Sequence, residues 1–220
     1  MRLRLIFALL VTWGLGSAAA YPPTQGHPDR VVDRIAARIE DDIILLSQIR
    51  ELGAFQKLVE GHAEGDDRLL AELIEQWMVR TEATASYFPQ PAQSEVDREM
   101  ARLQSQFASP IAYAARLREL ELSDSESREL LTRQIYIERY LDYKFRPTVQ
   151  IEASDIEAYY QKELLPELAR KNQPAPPLPD VEGQIREVLT QRGISDRTAK
   201  WLDETKSRLK IEVSFPGVAP

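Results

Sequence analysis

Two histidines, His27 and His62, are the residues of this 220-residue sequence whose ordinary pKa suits proton transfer near neutral pH. His27 sits in a Pro/Gly-rich stretch at 21–28, and His62 in the glycine-flanked run 61–65. Neither belongs to a His-Glu-x-x-His or comparable metal spacing, so both read as solvated loop residues. Cysteine is absent from the sequence. That removes disulfides, thiol catalysis, thiolate metal sites and a lipid-modified cysteine. The sequence contains no Gly-x-Ser-x-Gly elbow, P-loop or dinucleotide fingerprint. Its helical carboxylates alternate with Arg and Lys, the ordinary pattern of a solvated helix face. The expectation is no catalytic residue, no metal site and no cofactor.

The chemistry that remains is recognition. In a helix expected over residues 125–145, Tyr136, Tyr140 and Tyr143 share one face, while Leu130, Gln134, Ile137, Leu141 and Phe145 share the opposite one. A helix with large apolar groups on both sides is most often a central helix wrapped by its neighbours. The functional alternative is a tyrosine-lined surface that grips extended peptides. Tyrosine adds contact area at low entropic cost, and its hydroxyl can bond a peptide backbone.

Composition narrows the possible partners. Hydrophobic residues make up 43% of the chain and charged residues 29%, enough apolar material for a sizeable core. The formal net charge of −7, with no arginine stripe, argues against nucleic acid. At the start, Arg2 and Arg4 precede an almost unbroken apolar run over 5–15, followed by Ser17-Ala18-Ala19-Ala20. This is the pattern of a secretory signal peptide over 1–20, cleaved after Ala20. The alternative, an uncleaved anchor, is disfavoured because a bilayer needs about 20 apolar residues. Residues 21–30 then read as a flexible tether, and no stable membrane insertion is expected after cleavage.

From Asp33 the pattern is strand-like. Ile35, Ala37 and Ile39 alternate with Arg34, Ala36 and Arg38, Asp41-Asp42 supplies a turn, and 43–46 is a short apolar run, together a β-hairpin. Ser47 is the expected cap of a helix to Val59. Leu70, Leu73, Ile74 and Trp77 mark a helix over 66–86, which the proline-bearing stretch 88–92 stops. A helix starting at Ser94 carries Val96, Met100, Leu103 and Phe107, and Pro110 opens another at its first turn. Ser123 and Glu126 form a capping box for the long helix ending near Arg146, and Ser154 with Glu157 a second one. A proline-rich connector is expected over 173–180, then a helix over 181–191 broken at Gly193, and a last helix from Ser195 to Leu209. Ile211, Val213 and Phe215 alternate as a closing strand. A lone strand needs a partner, and the N-terminal hairpin is the obvious one, which would bring the two ends together.

Three stretches carry a family resemblance. Residues 32–49 resemble the opening of the periplasmic chaperone SurA and its relatives, a "V-D-x-I-x-A-x-V-N-x-x-x-I-x-x-S-x-[IL]" pattern in which Glu40 stands where the family often has Asn. Residues 151–160, ending in Tyr159-Tyr160, resemble the family's "I-x-V-S-D-x-E-I-x-x-Y-Y" junction. Residues 181–215, with Trp201-Leu202 and the Lys210–Val213 strand, resemble its closing segment. The resemblance implies a mainly α fold, a SurA-type helical core closed by a small β-sheet of N-terminal hairpin and C-terminal strand. Its segments would be an N-terminal-like helical core over 31–150, a junction helix over 151–172, the connector, and closing helices with the strand over 181–215. In the family, prolyl isomerase domains lie between the Tyr-Tyr helix and the closing helix. Here the stretch from Tyr160 to Val181 is too short for a folded domain of more than about 40 residues. The implied function is an ATP-independent periplasmic holdase for unfolded envelope or outer-membrane proteins, not an enzyme. The alternatives are a structural subunit of an envelope export or assembly complex, and a prolyl isomerase with a degenerate site.

Overall fold

The computed structural model describes residues 33–214. The expected signal peptide, tether, His27 and Phe215 lie outside the described residues. The fold is mainly α with one small antiparallel sheet. Strands β1 (Ile35–Ile39) and β2 (Asp42–Leu45) form the hairpin, and β3 (Ile211–Val213) pairs antiparallel with β1, giving the order β2-β1-β3. The register sets Ala37 opposite Val213 and Ile39 opposite Ile211, and Ser214 N donates to Ala36 O at 2.9 Å. The two ends of the described chain therefore meet in one sheet.

The hairpin departs from simple alternation in two places. A bulge between Ile35 and Ala37 lets Ala36, expected to face outward, be as buried as Ala37. The turn falls on Glu40-Asp41, with Asp42 already in β2. Glu40 adopts a left-handed backbone (φ 50°), which costs a side-chain-bearing residue about 1 kcal/mol. Its contacts offset that cost. Glu40 N donates to Lys210 O at 3.0 Å, and its Oε1 accepts from Lys210 N at 2.7 Å, tying the turn to the start of β3.

The sheet packs on α1 (Leu46–Val59) and α2 (Asp66–Ala85) through Ala37, Ile39, Ile44, Ile49, Leu70 and Ile74. Ser47 is not the cap of α1. Leu45 N is instead satisfied by Gln48 Oε1 at 2.9 Å, and Ser47 N donates to Asp33 Oδ1 at 3.3 Å. Helices α3 (Gln93–Ser105), α4 (Pro110–Glu119) and α5 (Asp124–Phe145) follow. Ser109 caps α4 through Ala112 N, and Ser123 with Glu126 forms the expected box at the start of α5. Leu103, Tyr113, Leu117 and Leu130 close a second core over Phe55 and Leu58 of α1.

After a 3₁₀ turn at Arg146–Thr148 come α6 (Ala153–Tyr159), a π-helical turn (Tyr160–Leu164) and α7 (Leu165–Arg170). The start of α6 is held by Asp155 Oδ2, which accepts from Glu152 N at 2.9 Å, so Ser154 is inside the helix and does not cap it. The final helix α8 runs unbroken over Leu178–Lys206. The expected break at Gly193 is absent because Gly193 answers a packing need. A Cβ there would stand 2.7 Å from Val149 Cγ1, so the glycine lets the chain after α5 lie against α8. The connector is accordingly shorter than expected, with Pro179 already in the first turn of α8, where a missing N–H costs little.

Candidate functional site

The three tyrosines divide. Tyr136 and Tyr140 are buried, at 4% and 2% exposure, whereas Tyr143 is 66% exposed. Tyr136 Oη donates to Phe88 O at 3.2 Å, and Tyr140 Oη lies 3.5 Å from Ser86 Oγ. The Phe88 ring packs on all three tyrosine rings, at centroid distances of 5.8, 5.3 and 5.2 Å. The expectation of a peptide-gripping tyrosine surface is therefore corrected. Two of its three residues are core, with hydroxyls turned to the end of α2 and the loop behind it. His62 is solvated, its Nε2 3.9 Å from Glu60 Oε2. Among the described residues no group of three His, Asp or Glu side chains could hold a metal ion.

The opposite face of α5 lines the open space. A cleft of about 340 Å³ lies among α1, α2, α5 and α8. Its floor is aliphatic and aromatic: Leu52, Phe55 and Val59 from α1, Val79 from α2, Ile137 and Leu141 from α5, and Leu202 from α8. The acidic side chains are Glu60 behind α1, Glu72 and Glu75 on α2, and Glu138 on α5, interleaved with Gln56, Gln76 and Gln134. Among the described residues that line it there is no lysine or arginine.

Local sequence explains this arrangement. Glu72 and Glu75 are three apart on α2 and so share a face, as do Gln134, Glu138 and Leu141 on α5. Glu72 is partly withdrawn from water, and its carboxylate accepts from Gln56 Nε2 at 2.8 Å and from Gln76 Nε2 at 2.9 Å. Burial raises the Glu72 pKa above the ordinary glutamate value, with the Glu75 and Glu60 charges adding to the shift against the amide hydrogen bonds. Burial also raises that of Glu75, against the pull of Lys206. In both, withdrawal of the carboxylate from water is the first cause.

Two wider concavities adjoin the cleft, and all three share Glu138. One, of about 480 Å³, mixes Arg98, Arg102 and Arg139 with Glu95 and Glu99 beside α3. The other, of about 840 Å³, lies between α5 and α8 and is lined by Phe88, Leu141, Tyr143 and Ile194. Thr198 lines both this concavity and the main cleft, and its Oγ1 is buried without a hydrogen-bond partner among the described residues. Of the predicted site residues, Tyr143 alone reaches a concave surface. The sequence did contain a signal for the cleft: Gln134 and Glu138 interrupt the aliphatic side of α5, which a fully covered face would not favour. What these residues offer is an apolar trough with a negative rim, suited to holding a ligand. No protein-family model matches the chain, and no curated protein matches it.

Proposed function

We propose that this protein is an ATP-independent holdase of the periplasm that binds unfolded envelope or outer-membrane proteins through the cleft between α1, α2, α5 and α8. The observation that carries the reading is the trough itself, an apolar-floored cleft at whose edge Ile137 and Leu141 of α5 stay half-buried. The signal-peptide pattern supports the location, and the resemblance of three stretches to SurA supports the class. Binding would be weak and reversible, made of side-chain burial in the trough and contacts of Gln56, Gln76 and Gln134 with client backbone. No isomerase activity belongs to this reading. The stretch from Tyr160 to Val181, where the resemblance has its catalytic domains, is here a π turn, α7, a short connector and the first residues of α8.

Suppression of aggregation of an unfolded β-barrel protein, followed by light scattering, tests the proposal. Suppression at near-equimolar ratio is expected, and no effect at several-fold molar excess would overturn it. A protease-coupled proline isomerisation assay on a tetrapeptide should remain at background. Acceleration there would overturn the non-enzymatic part.

A further inference from the structure

We infer that the cleft selects client segments whose apolar side chains are flanked by lysine or arginine, and rejects those flanked by acidic residues. This rests on the cleft being the client site and adds which clients it takes. The argument is one of charge complementarity at short range. Four glutamates, at 60, 72, 75 and 138, surround a floor of Leu52, Phe55, Ile137 and Leu141, with no cation among the lining residues. Three of the four come from helices packed against one another, so their spacing is held by the fold.

Groups facing the rim leave it negative on the α1–α2 side, while beside Glu138 the adjoining concavity holds Arg98, Arg102 and Arg139, with Arg102 paired to Glu99 and Arg139 to Glu95. From α1, Gln56 supplies Glu72 with a neutral amide; from α2 itself, Gln76 supplies another. From α8, Lys206 acts on Glu75 but is opposed by Asp203. Carboxylates bordering an apolar surface interact more strongly with an incoming cation than they would in bulk water, because the local dielectric is lower. Size sets the other limit. At about 340 Å³ the cleft is at the small end of ligand sites, room for a few side chains of an extended segment and not for a folded surface. The floor takes the apolar side chain and the rim takes its cationic neighbour.

The test uses the full chain and two fluorescein-labelled peptides with the same apolar residues, one flanked by lysines and the other by glutamates. Fluorescence anisotropy should give the lysine peptide about tenfold tighter binding at low salt, with the difference shrinking as salt screens the rim. Glu75→Gln with Glu138→Gln, both at exposed positions, should erase most of the preference while the circular dichroism spectrum stays unchanged. Equal affinity for the two peptides, or tighter binding of the glutamate peptide, would overturn the inference and leave the holdase reading standing. Binding of neither, with aggregation suppression intact, would overturn it by moving the client site elsewhere. Binding of neither with no suppression would overturn both.

Discussion

The two sides of α5 both carry large apolar side chains and meet different fates around residues 136–141. On one side Tyr136 and Tyr140 are sealed against Val79, Ala83 and Phe88; on the other Ile137 and Leu141 remain half-buried at the edge of a trough. Hydropathy alone would favour the reverse, since isoleucine and leucine are buried more often than tyrosine. The difference lies in what each side meets. The tyrosine rings meet Phe88, and at least one hydroxyl finds an acceptor, so burial costs them little. The aliphatic side meets an open cleft bordered by Glu72, Glu75 and Glu138, so Ile137 and Leu141 are only partly covered.

The strongest way to break this contrast is truncation on each side. Tyr140→Ala should cost about 3–5 kcal/mol, the usual penalty for deleting a buried aromatic ring. Leu141→Ala, one residue along, should cost no more than about 1–2 kcal/mol because its side chain is already partly in water. Urea midpoints at constant m-value would measure both, and equal losses would mean that the cleft side is as closed as the tyrosine side.

A second contrast lies within α8. Gly193→Ala would push a methyl into Val149, an overpacking cost of about 1–3 kcal/mol that outweighs the roughly 1 kcal/mol gained in helix propensity. Gly183 has open space around it, so Gly183→Ala should stabilise by about 0.5–1 kcal/mol. Thermal unfolding of the two variants should move in opposite directions. If Gly193 ended a helix, as its sequence context predicts, alanine there would not reproduce this split.

Smaller still is the hydroxyl contribution on the buried side. Tyr136→Phe should lose about 1 kcal/mol, the hydrogen bond to Phe88 O, while leaving the ring packing intact.

The smallest expected effect is electrostatic and separates the cleft from the α5–α8 clamp. Arg146 donates to Asp142 at the end of α5 and to Glu187 of α8. Hydrogen bonds from Arg146, then from Gln191, hold the Glu187 carboxyl at about 2, below its ordinary 4.5. A depressed carboxyl stabilises the fold above its unfolded pKa, and that contribution is lost as pH falls from about 4.5 toward 2. Glu72 and Glu75 behave oppositely. With pKa values raised by burial, the fold binds their protons more tightly than the unfolded chain does. Their contribution is therefore present below the unfolded glutamate value and is lost as pH rises through their folded values. Stability measured against pH should lose part of its acid limb in Arg146→Ala and part of its opposing limb in Glu72→Gln. The Arg146 effect is modest because the clamp is solvent-exposed and screened.

Much of the fold was legible in the sequence because its signals are local. The hairpin followed from alternation at 35–39, α2 and α5 from their 3.6-residue periodicity, and the starts of α4 and α5 from Pro110 and the Ser123–Glu126 box. The pairing of Ile211–Val213 with β1 was also foreseeable, since a strand cannot stand alone. The caps at Ser47 and Ser154 misled, because Gln48 and Asp155 reach back to Leu45 N and Glu152 N, so each helix begins before its serine.

By itself, then, the sequence determined the helical class, the order of the main elements and the pairing of the closing strand with the hairpin, all set by periodicity and by the need of backbone groups for partners. Only the tertiary structure decided that Gly193 is a point of close packing and not a helix end, and that α5 turns Tyr136 and Tyr140 inward and Ile137 and Leu141 to the trough. Both depend on what stands opposite a residue in space, Val149 in one case and Phe88 in the other. A pattern along one chain segment says which residues share a face and is silent about what that face meets.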